Sequence, residues 1–229
     1  MQDVKYAILA GAQGSGKGTL GKAIQKRFPG RFFTIETGAM LRDIVKEDPE
    51  CEVARLMREG LLVPDKLIFD LVTEQKDKLL KEVQCDSNGG PIWIFLDGVP
   101  RNEAQAKKMR EYLGDALEYA FILDVDLELL KKRTINRRVC PKCEKIYNIE
   151  GAYAPKQPGL CDECGEELVQ RKDDTEEALD KRWSIYFSQT RPAILCMEEY
   201  GVKVVECENN NGEAVEEILR YLFPDGVTV

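Results

Sequence analysis

Lys17 sits in the run Gly11-Ala12-Gln13-Gly14-Ser15-Gly16-Lys17-Gly18-Thr19, directly after an apolar stretch that ends at Ala10. Glycines at this density let backbone N–H groups turn inward around phosphate oxygens. A helix beginning here adds the positive end of its dipole, and the Lys17 ammonium can reach terminal phosphates. The usual phosphate loop has Ser or Thr directly after the lysine; here Gly18 intervenes and Thr19 follows. A ligand-free glycine turn is the bland reading, and the strand-to-helix position weighs against it.

The other residues suited to phosphate chemistry are one aspartate and a set of arginines. Asp97 closes a hydrophobic run, the place where a carboxylate can sit near magnesium, directly or through water; the plain alternative is a turn aspartate. Arg101 follows in Gly98-Val99-Pro100-Arg101. Arg133 and Arg137 lie four apart on a predicted helix and would share a face. Arg171 opens Arg171-Lys172-Asp173-Asp174, and Arg182 falls on the next helical pattern. Any one arginine is more often a solvated surface charge, but their placement after strand-sized runs is not random. The chain contains no histidine, which removes the usual neutral-pH acid–base group. Phosphoryl transfer does not need one, because it rests on positioning and fixed positive charge.

Cys140-Pro141-Lys142-Cys143 and Cys161-Asp162-Glu163-Cys164 form two Cys-x-x-Cys knuckles separated by 17 residues. Four thiolates at this spacing suit a closed tetrahedral zinc site with no open position for catalysis, so the zinc would be structural. Thiol–disulfide exchange is the alternative, and two matched pairs exceed what it needs. Cys51, Cys85, Cys196 and Cys207 are scattered and read as ordinary thiols.

The net charge of −8 disfavours nonspecific contact with nucleic acid or an anionic membrane. Anionic ligands must then be held by a local cluster of cations. Apolar runs such as Ile92–Leu96 are strand-sized, not membrane-sized, and Tyr6–Ala10 is too short for a signal peptide. A cytoplasmic protein and a monomer are expected, with no membrane or nucleic-acid partner.

Around these residues, Val4–Ala10, Phe32–Ile35, Ile92–Asp97, Tyr119–Asp124 and Lys203–Cys207 read as strands. Helical spacing marks Gly18–Phe28, Lys66–Val83, Glu103–Leu113, Leu127–Val139 and Thr175–Tyr200. Alternation of this kind predicts an α/β fold with a five-stranded parallel sheet covered on both faces, and ligands at the carboxyl ends of its strands. Two stretches break the alternation. Thr37–Asp70 holds one or two helices with a turn at Gly60 and Pro64, and Cys140–Gln170 is rich in Gly, Pro and Cys without helical period.

Taken in order, these motifs resemble the adenylate kinase family in its long-lid, zinc-carrying form, over nearly the whole chain. Gly11–Thr19 is similar to the family's phosphate loop. Thr37-Gly38-Ala39-Met40-Leu41-Arg42 resembles the start of the monophosphate-binding arm, and Gly60–Asp65 its end. Asp97–Arg101 with Gln105 matches the segment that contacts AMP; Arg133–Arg138 resembles the start of the lid, and Arg171–Asp174 with Arg182 its end. The resemblance implies a P-loop fold with a core (residues 1–36, 74–136 and 174–229), an arm (37–73) and a zinc-ribbon lid (137–173). It also implies direct in-line transfer from ATP, with Mg2+, to AMP. Lys17, Arg101, Arg133, Arg137, Arg171 and Arg182 would be the catalytic cations. Gly14, Ser15, Gly16, Lys17, Gly18, Thr19, Arg133, Arg137, Ile146 and Tyr147 would bind ATP. Thr37, Gly38, Arg42, Met57, Leu61, Leu62, Val63, Gly98, Val99, Arg101, Gln105, Arg171 and Arg182 would bind AMP. Asp97, Asp173 and Asp174 would support magnesium or lid closure, and Cys140, Cys143, Cys161 and Cys164 would hold Zn2+.

The chain departs from the family's pattern at Gln13 (usually Pro), Ala39 (usually Asp) and Val99 (usually aromatic). Gln13 leaves the loop glycines intact. Ala39 and Val99 remove a carboxylate and an aromatic surface beside the monophosphate site, which keeps UMP, CMP or GMP open as acceptors. Thr37 favours AMP, because relatives using UMP or CMP usually have Ala there. A reading from another class is a zinc-ribbon protein that senses nucleotide or clamps nucleic acid; the retained cations oppose the first and the acidic charge the second.

Overall fold

Five strands, β1 (Val4–Ala10), β2 (Phe32–Glu36), β3 (Ile92–Asp97), β4 (Leu117–Asp124) and β7 (Lys203–Glu208), pair in parallel in the order β2-β3-β1-β4-β7. Two short strands, β5 (Arg137–Val139) and β6 (Ile146–Asn148), form a separate antiparallel hairpin. This computed structural model describes residues 3–83, 90–171, 173–210 and 212–224. Cys85 and Lys172, noted in the sequence, lie outside the described residues.

The sheet is buried on both faces, which is why its strands read as unbroken apolar runs rather than alternating ones. Along β1, Tyr6, Ile8 and Ala10 pack into one apolar cluster and Ala7 and Leu9 into the other, the two-residue period of a strand. Helices α1 (Lys17–Arg27) and α9 (Ala214–Leu222) cover the second face through Leu20, Ile24, Ile218 and Leu222. On the first face lie α4 (Asp65–Glu82) and α5 (Glu103–Leu113), through Ile68, Val72, Ala106 and Met109. From β3 the chain crosses over β1 by way of α5 to reach β4. The direction of winding thus reverses around β1, and a crevice opens beyond its carboxyl end.

The excursion after β2 is helical: α2 (Thr37–Glu47) and α3 (Glu52–Arg58), then an extended link to Pro64, which precedes α4. Polar side chains start the later helices. Asn102 accepts from the Gln105 N–H ahead of α5, and Asp126 caps α6 (Leu127–Ile135) by accepting from Glu128 and Leu129. Thr175 accepts from Ala178 at the start of α7 (Glu176–Ile185).

Two helices differ from their sequence reading. The pattern over Leu127–Val139 stops at Ile135, because the backbone turns into the hairpin. There Arg137 pairs with Asn148, the Ile149 N–H goes to Asn136 O at 2.9 Å, and Asn148 Nδ2 donates to Arg133 O at 3.0 Å. Arg133 and Arg137 therefore do not share a helical face; one is on α6 and the other on β5. The segment Thr175–Tyr200 is helical but not one α-helix. After α7 the turn widens to a π-helix over Tyr186–Thr190, resumes as α8 (Arg191–Leu195) and tightens over Cys196–Tyr200. Pro192 has no N–H to return to an earlier carbonyl, so the regular ladder gives way just before it.

Gly60 fixes how the excursion meets the core. It ends α3 with φ 71°, and the following Leu61 N–H reaches back to Leu56 O at 2.9 Å. A Cβ here would lie 2.5 Å from the Ala178 carbonyl oxygen of α7. Gly60→Ala is expected to cost about 2–3 kcal/mol, from left-handed strain and the clash with a backbone atom. An unchanged denaturation midpoint would show that the segment does not pack on α7 in this way.

Candidate active site

The carboxyl ends of the strands open into a cleft of about 780 Å³ whose walls come from the phosphate loop, the helical excursion after β2, the segment after β3, the β5–β6 hairpin and α7. At its floor the loop after β1 runs into α1. Gly16 (φ 95°) precedes the helix with no side-chain cap, so the first-turn N–H groups of Lys17, Gly18 and Thr19 have no partner within the helix. Gly14, Gly16, Lys17, Gly18 and Thr19 all line the cleft; Ser15 does not, and its buried Oγ lacks a hydrogen-bond partner. Lys17 Nζ folds back onto the loop, donating to Gly11 O at 2.7 Å. Burial lowers the pKa of this ammonium, and the nearby Asp97 opposes that effect.

Asp97 ends β3 in register with Glu36, the last residue of β2, so two carboxylates stand side by side. Asp97 is only 6% exposed. Among the described residues no donor or ion-pair partner reaches its carboxylate. Burial pushes its pKa up to about 6; Lys17 opposes this and Glu36 adds to it. An unpartnered, nearly buried carboxylate beside phosphate-loop N–H groups suits a hydrated hard cation such as Mg2+.

On the α2 side, Arg42 Nη2 pairs with Glu36 Oε1 at 2.7 Å. Thr37 is fully buried and does not line the cleft; its hydroxyl donates to Asp97 O at 3.2 Å. Gly98 (φ 88°) lets Thr37 and Arg101 pack against it, since a Cβ there would overlap the Thr37 hydroxyl and lie 3.4 Å from Arg101 Nη2. Arg101 Nε donates to Gly98 O at 2.8 Å. The Gln105 amide is fixed at both ends: Oε1 accepts from the Arg101 N–H at 2.8 Å and Nε2 donates to Asp65 Oδ1 at 2.7 Å. Gly38, Met57, Leu61, Leu62, Val63, Gly98 and Val99 complete this wall.

Over the opposite wall stand the remaining arginines. Arg133 donates to the carbonyls of Asn209 at 3.2 Å and Asn210 at 2.6 Å. Arg137 is clasped by the buried carboxylate of Asp174, with Nε to Oδ2 at 2.9 Å and a second, shorter contact from Nη2 to Oδ1. Arg182 Nη2 bridges Asp173 Oδ2 at 2.8 Å and Met57 O at 3.0 Å. Asp173 and Asp174 are thus committed to arginines rather than aimed at a metal. Burial, reinforced by Arg137 and Arg42, pushes Arg171 down to about 10. No carboxylate of the described residues lies within ion-pairing distance of Lys17, Arg101, Arg133 or Arg171.

Ile146 and Tyr147 also line the cleft, but the Tyr147 ring is buried among the cysteines and its hydroxyl lies 3.3 Å from Cys161 Sγ. The four sulfurs fit one tetrahedral ion. They all lie within 4.8 Å of one another, with Cys140–Cys164 at 3.4 Å, Cys143–Cys161 at 3.5 Å and Cys143–Cys164 at 3.8 Å. Zn–S bonds of about 2.3 Å give a tetrahedron edge of about 3.8 Å.

Among the cleft residues that sequence reasoning passed over are Glu36 and Asn209. Glu36 holds Arg42. Asn209 is buried, lines the cleft and donates from Nδ2 to Ser15 O at 2.7 Å. Both stand at or just after the carboxyl end of a parallel strand, so the strand-end rule could have found them.

A parallel α/β sheet with a phosphate loop after its first strand, a strand-end carboxylate and partly buried arginines on one cleft defines a P-loop kinase fold. The family model described as adenylate kinase matches residues 9–202. An adenylate kinase of Caldicellulosiruptor bescii is 37% identical over 222 residues, 94% of this chain and 97% of the relative. Those of Thermotoga neapolitana and Thermosipho africanus are 36% identical over 204 residues (86% of each chain) and 41% identical over 192 residues (82% and 84%). The chain belongs to the adenylate kinase family, enzymes of nucleoside-monophosphate phosphotransfer. None of its described helices is long and apolar enough to cross a membrane.

The raised pKa of Asp97 has a consequence for stability. Its folded value, about 6, exceeds that of an unfolded carboxylate, about 4, so the native state binds this proton more tightly. The ionised group therefore lowers stability; the penalty is full above about pH 6 and absent below about pH 4. Asp97→Asn is expected to raise stability by about 1–3 kcal/mol at neutral pH, with the gain shrinking as pH falls through that window. Urea denaturation of both proteins across that range is the check; a destabilised variant at neutral pH would contradict it.

Proposed function

We propose that this enzyme transfers the terminal phosphoryl group of MgATP to AMP, reversibly, giving two ADP by direct in-line displacement. The observation that carries this reading is the set of partly buried cations without carboxylate partners among the described residues, Lys17 and Arg101 near the floor and Arg133 and Arg171 on the walls, around one cleft. Fixed positive charge in a water-poor site is what a phosphoryl transition state requires, and it needs no reorganisation at the moment of reaction.

In this scheme the free N–H groups at the start of α1 and Lys17 hold the donor's phosphates. Arg42 and Arg101 take the acceptor's phosphate, and Arg137, Arg171 and Arg182 neutralise the charge on the group in flight. The second N–H of Gln105 Nε2 remains for a ring nitrogen of the acceptor base; with Thr37 in the family's AMP-type position, it favours adenine. Asp97 would hold the water shell of Mg2+, which supplies charge neutralisation between the phosphates. Cys140, Cys143, Cys161 and Cys164 would hold Zn2+, stabilising a segment too small to bury a core of its own.

We assign residues 37–73 to a moving monophosphate arm, 137–173 to a lid and the remainder to the core. Closure of both would exclude water that could otherwise hydrolyse ATP. The exposed pair Lys46–Glu144, at 2.7 Å, joins α2 to the cysteine hairpin across the mouth, as a closed arrangement requires.

A coupled assay of ADP formation with ATP, magnesium and each of AMP, UMP, CMP and GMP tests the reaction. Rapid turnover with AMP alone is expected, and a preference for another monophosphate would move the acceptor assignment. Lys17→Ala should reduce turnover roughly 10²-fold or more in a folded protein; near-normal activity would remove Lys17 from the mechanism. Stripping the metal with a chelator should produce an early melting transition of the hairpin ahead of the sheet. One unchanged transition would argue against a structural ion.

A further inference from the structure

The phosphate loop reaches beyond its own backbone through Gln13. Its main-chain oxygen accepts from Trp183 Nε1 at 3.1 Å, which pins the loop to α7. Its side chain extends to the guanidinium of Arg137. A guanidinium carries only donors, so the Gln13 amide atom facing it must be the oxygen. In that orientation Oε1 accepts from Arg137 Nη2 at 2.6 Å and Nη1 at 3.3 Å. From the other side the Asp174 carboxylate takes Nε and Nη2. The arginine side chain is 13% exposed and that of Asp174 is fully buried. Arg137 is therefore gripped between the phosphate loop and the segment that leads into α7.

The loop does not need this side chain for its own shape, because its turns fall at Gly11, Gly14 and Gly16, all at positive φ. A proline at this position could not make the contact, because it has no side-chain acceptor.

We propose that Gln13 is a positioning residue that aligns Arg137 for phosphoryl transfer and couples the seating of the donor's phosphates to closure of the lid. This rests on the role given to Arg137 above. A hydrogen bond to a charged group that must be held in one geometry affects the transferring step more than ground-state binding of the acceptor.

The test is steady-state kinetics of Gln13→Met, similar in size but without the acceptor oxygen, alone and in an Arg137→Lys background. Gln13→Met is expected to lower kcat about tenfold with the KM for the monophosphate and the melting temperature unchanged. In the Arg137→Lys background the same substitution should change kcat by less than about twofold, because a single ammonium cannot hold Asp174 and Gln13 together as the planar guanidinium does. A kcat for Gln13→Met within twofold of the parent, or an equal loss in both backgrounds, would overturn the proposal. Should Gln13→Met melt lower, Gln13→Glu decides: it keeps an acceptor for Arg137, so retained kcat supports the proposal and a loss equal to that of Gln13→Met refutes it. Arg137→Ala separates this from the parent reading. A fully active Arg137→Ala would sink the role of Arg137 itself, whereas an inactive one beside a normal Gln13→Met would sink only the role of Gln13.

Discussion

Partly buried positive charge without matching negative charge is the constraint that organises the cleft. Taking a guanidinium or ammonium out of water is costly unless it finds hydrogen bonds or a counter-charge. The protein meets part of that cost with carbonyls: Gly11 for Lys17, Gly98 for Arg101, Asn209 and Asn210 for Arg133. Three other arginines are given carboxylates, Glu36 to Arg42, Asp174 to Arg137 and Asp173 to Arg182. The depressed pKa values of Lys17, Arg101 and Arg171 record what is left uncompensated. The phosphate groups of a bound nucleotide would complete the balance.

The fold serves that arrangement. A parallel sheet brings the ends of β1, β2, β3 and β7 to one edge, so Lys17, Glu36, Asp97 and Asn209 meet although they lie far apart in sequence. Rigid strands set the floor, while Arg42 and the residues near Gly60 come from the helical excursion and Arg137 from the cysteine hairpin. Each wall is tied back to the core by a few contacts: Thr37 to Asp97, Arg182 to Met57, Gln13 to Arg137. The four cysteines sit outside the cleft, clustered beside the β5–β6 hairpin.

Much of this was legible in the chain itself. Parallel strands buried on both faces leave continuous apolar runs, so β1 and β3 could be read to the residue. The paired Cys-x-x-Cys knuckles carry their geometry in their spacing. The reading over Leu127–Val139 failed because the helical period persists past the point where hairpin bonds from Asn136 and Asn148 take over, and local pattern does not register a tertiary competitor. Glu36 and Asn209 were missed because their types are ordinary and only the strand-end position marks them. Gln13 was taken as neutral to the loop; that holds for the backbone and not for the side chain, whose partner lies over a hundred residues away. Asp173 and Asp174 are expected from the resemblance to support magnesium or lid closure, and the geometry pairs them with Arg182 and Arg137, a choice that spacing could not make.

If uncompensated cations are what the cleft is built around, phosphate alone should relieve them and a base alone should not. Thermal melting at constant ionic strength, with inorganic tripolyphosphate or with adenosine and no magnesium, separates the two. At a hundredfold excess over its Kd, tripolyphosphate should raise the melting temperature by about 5–10 °C, with adenosine giving little. A rise with adenosine and none with tripolyphosphate would mean that base recognition, not buried charge, organises the site.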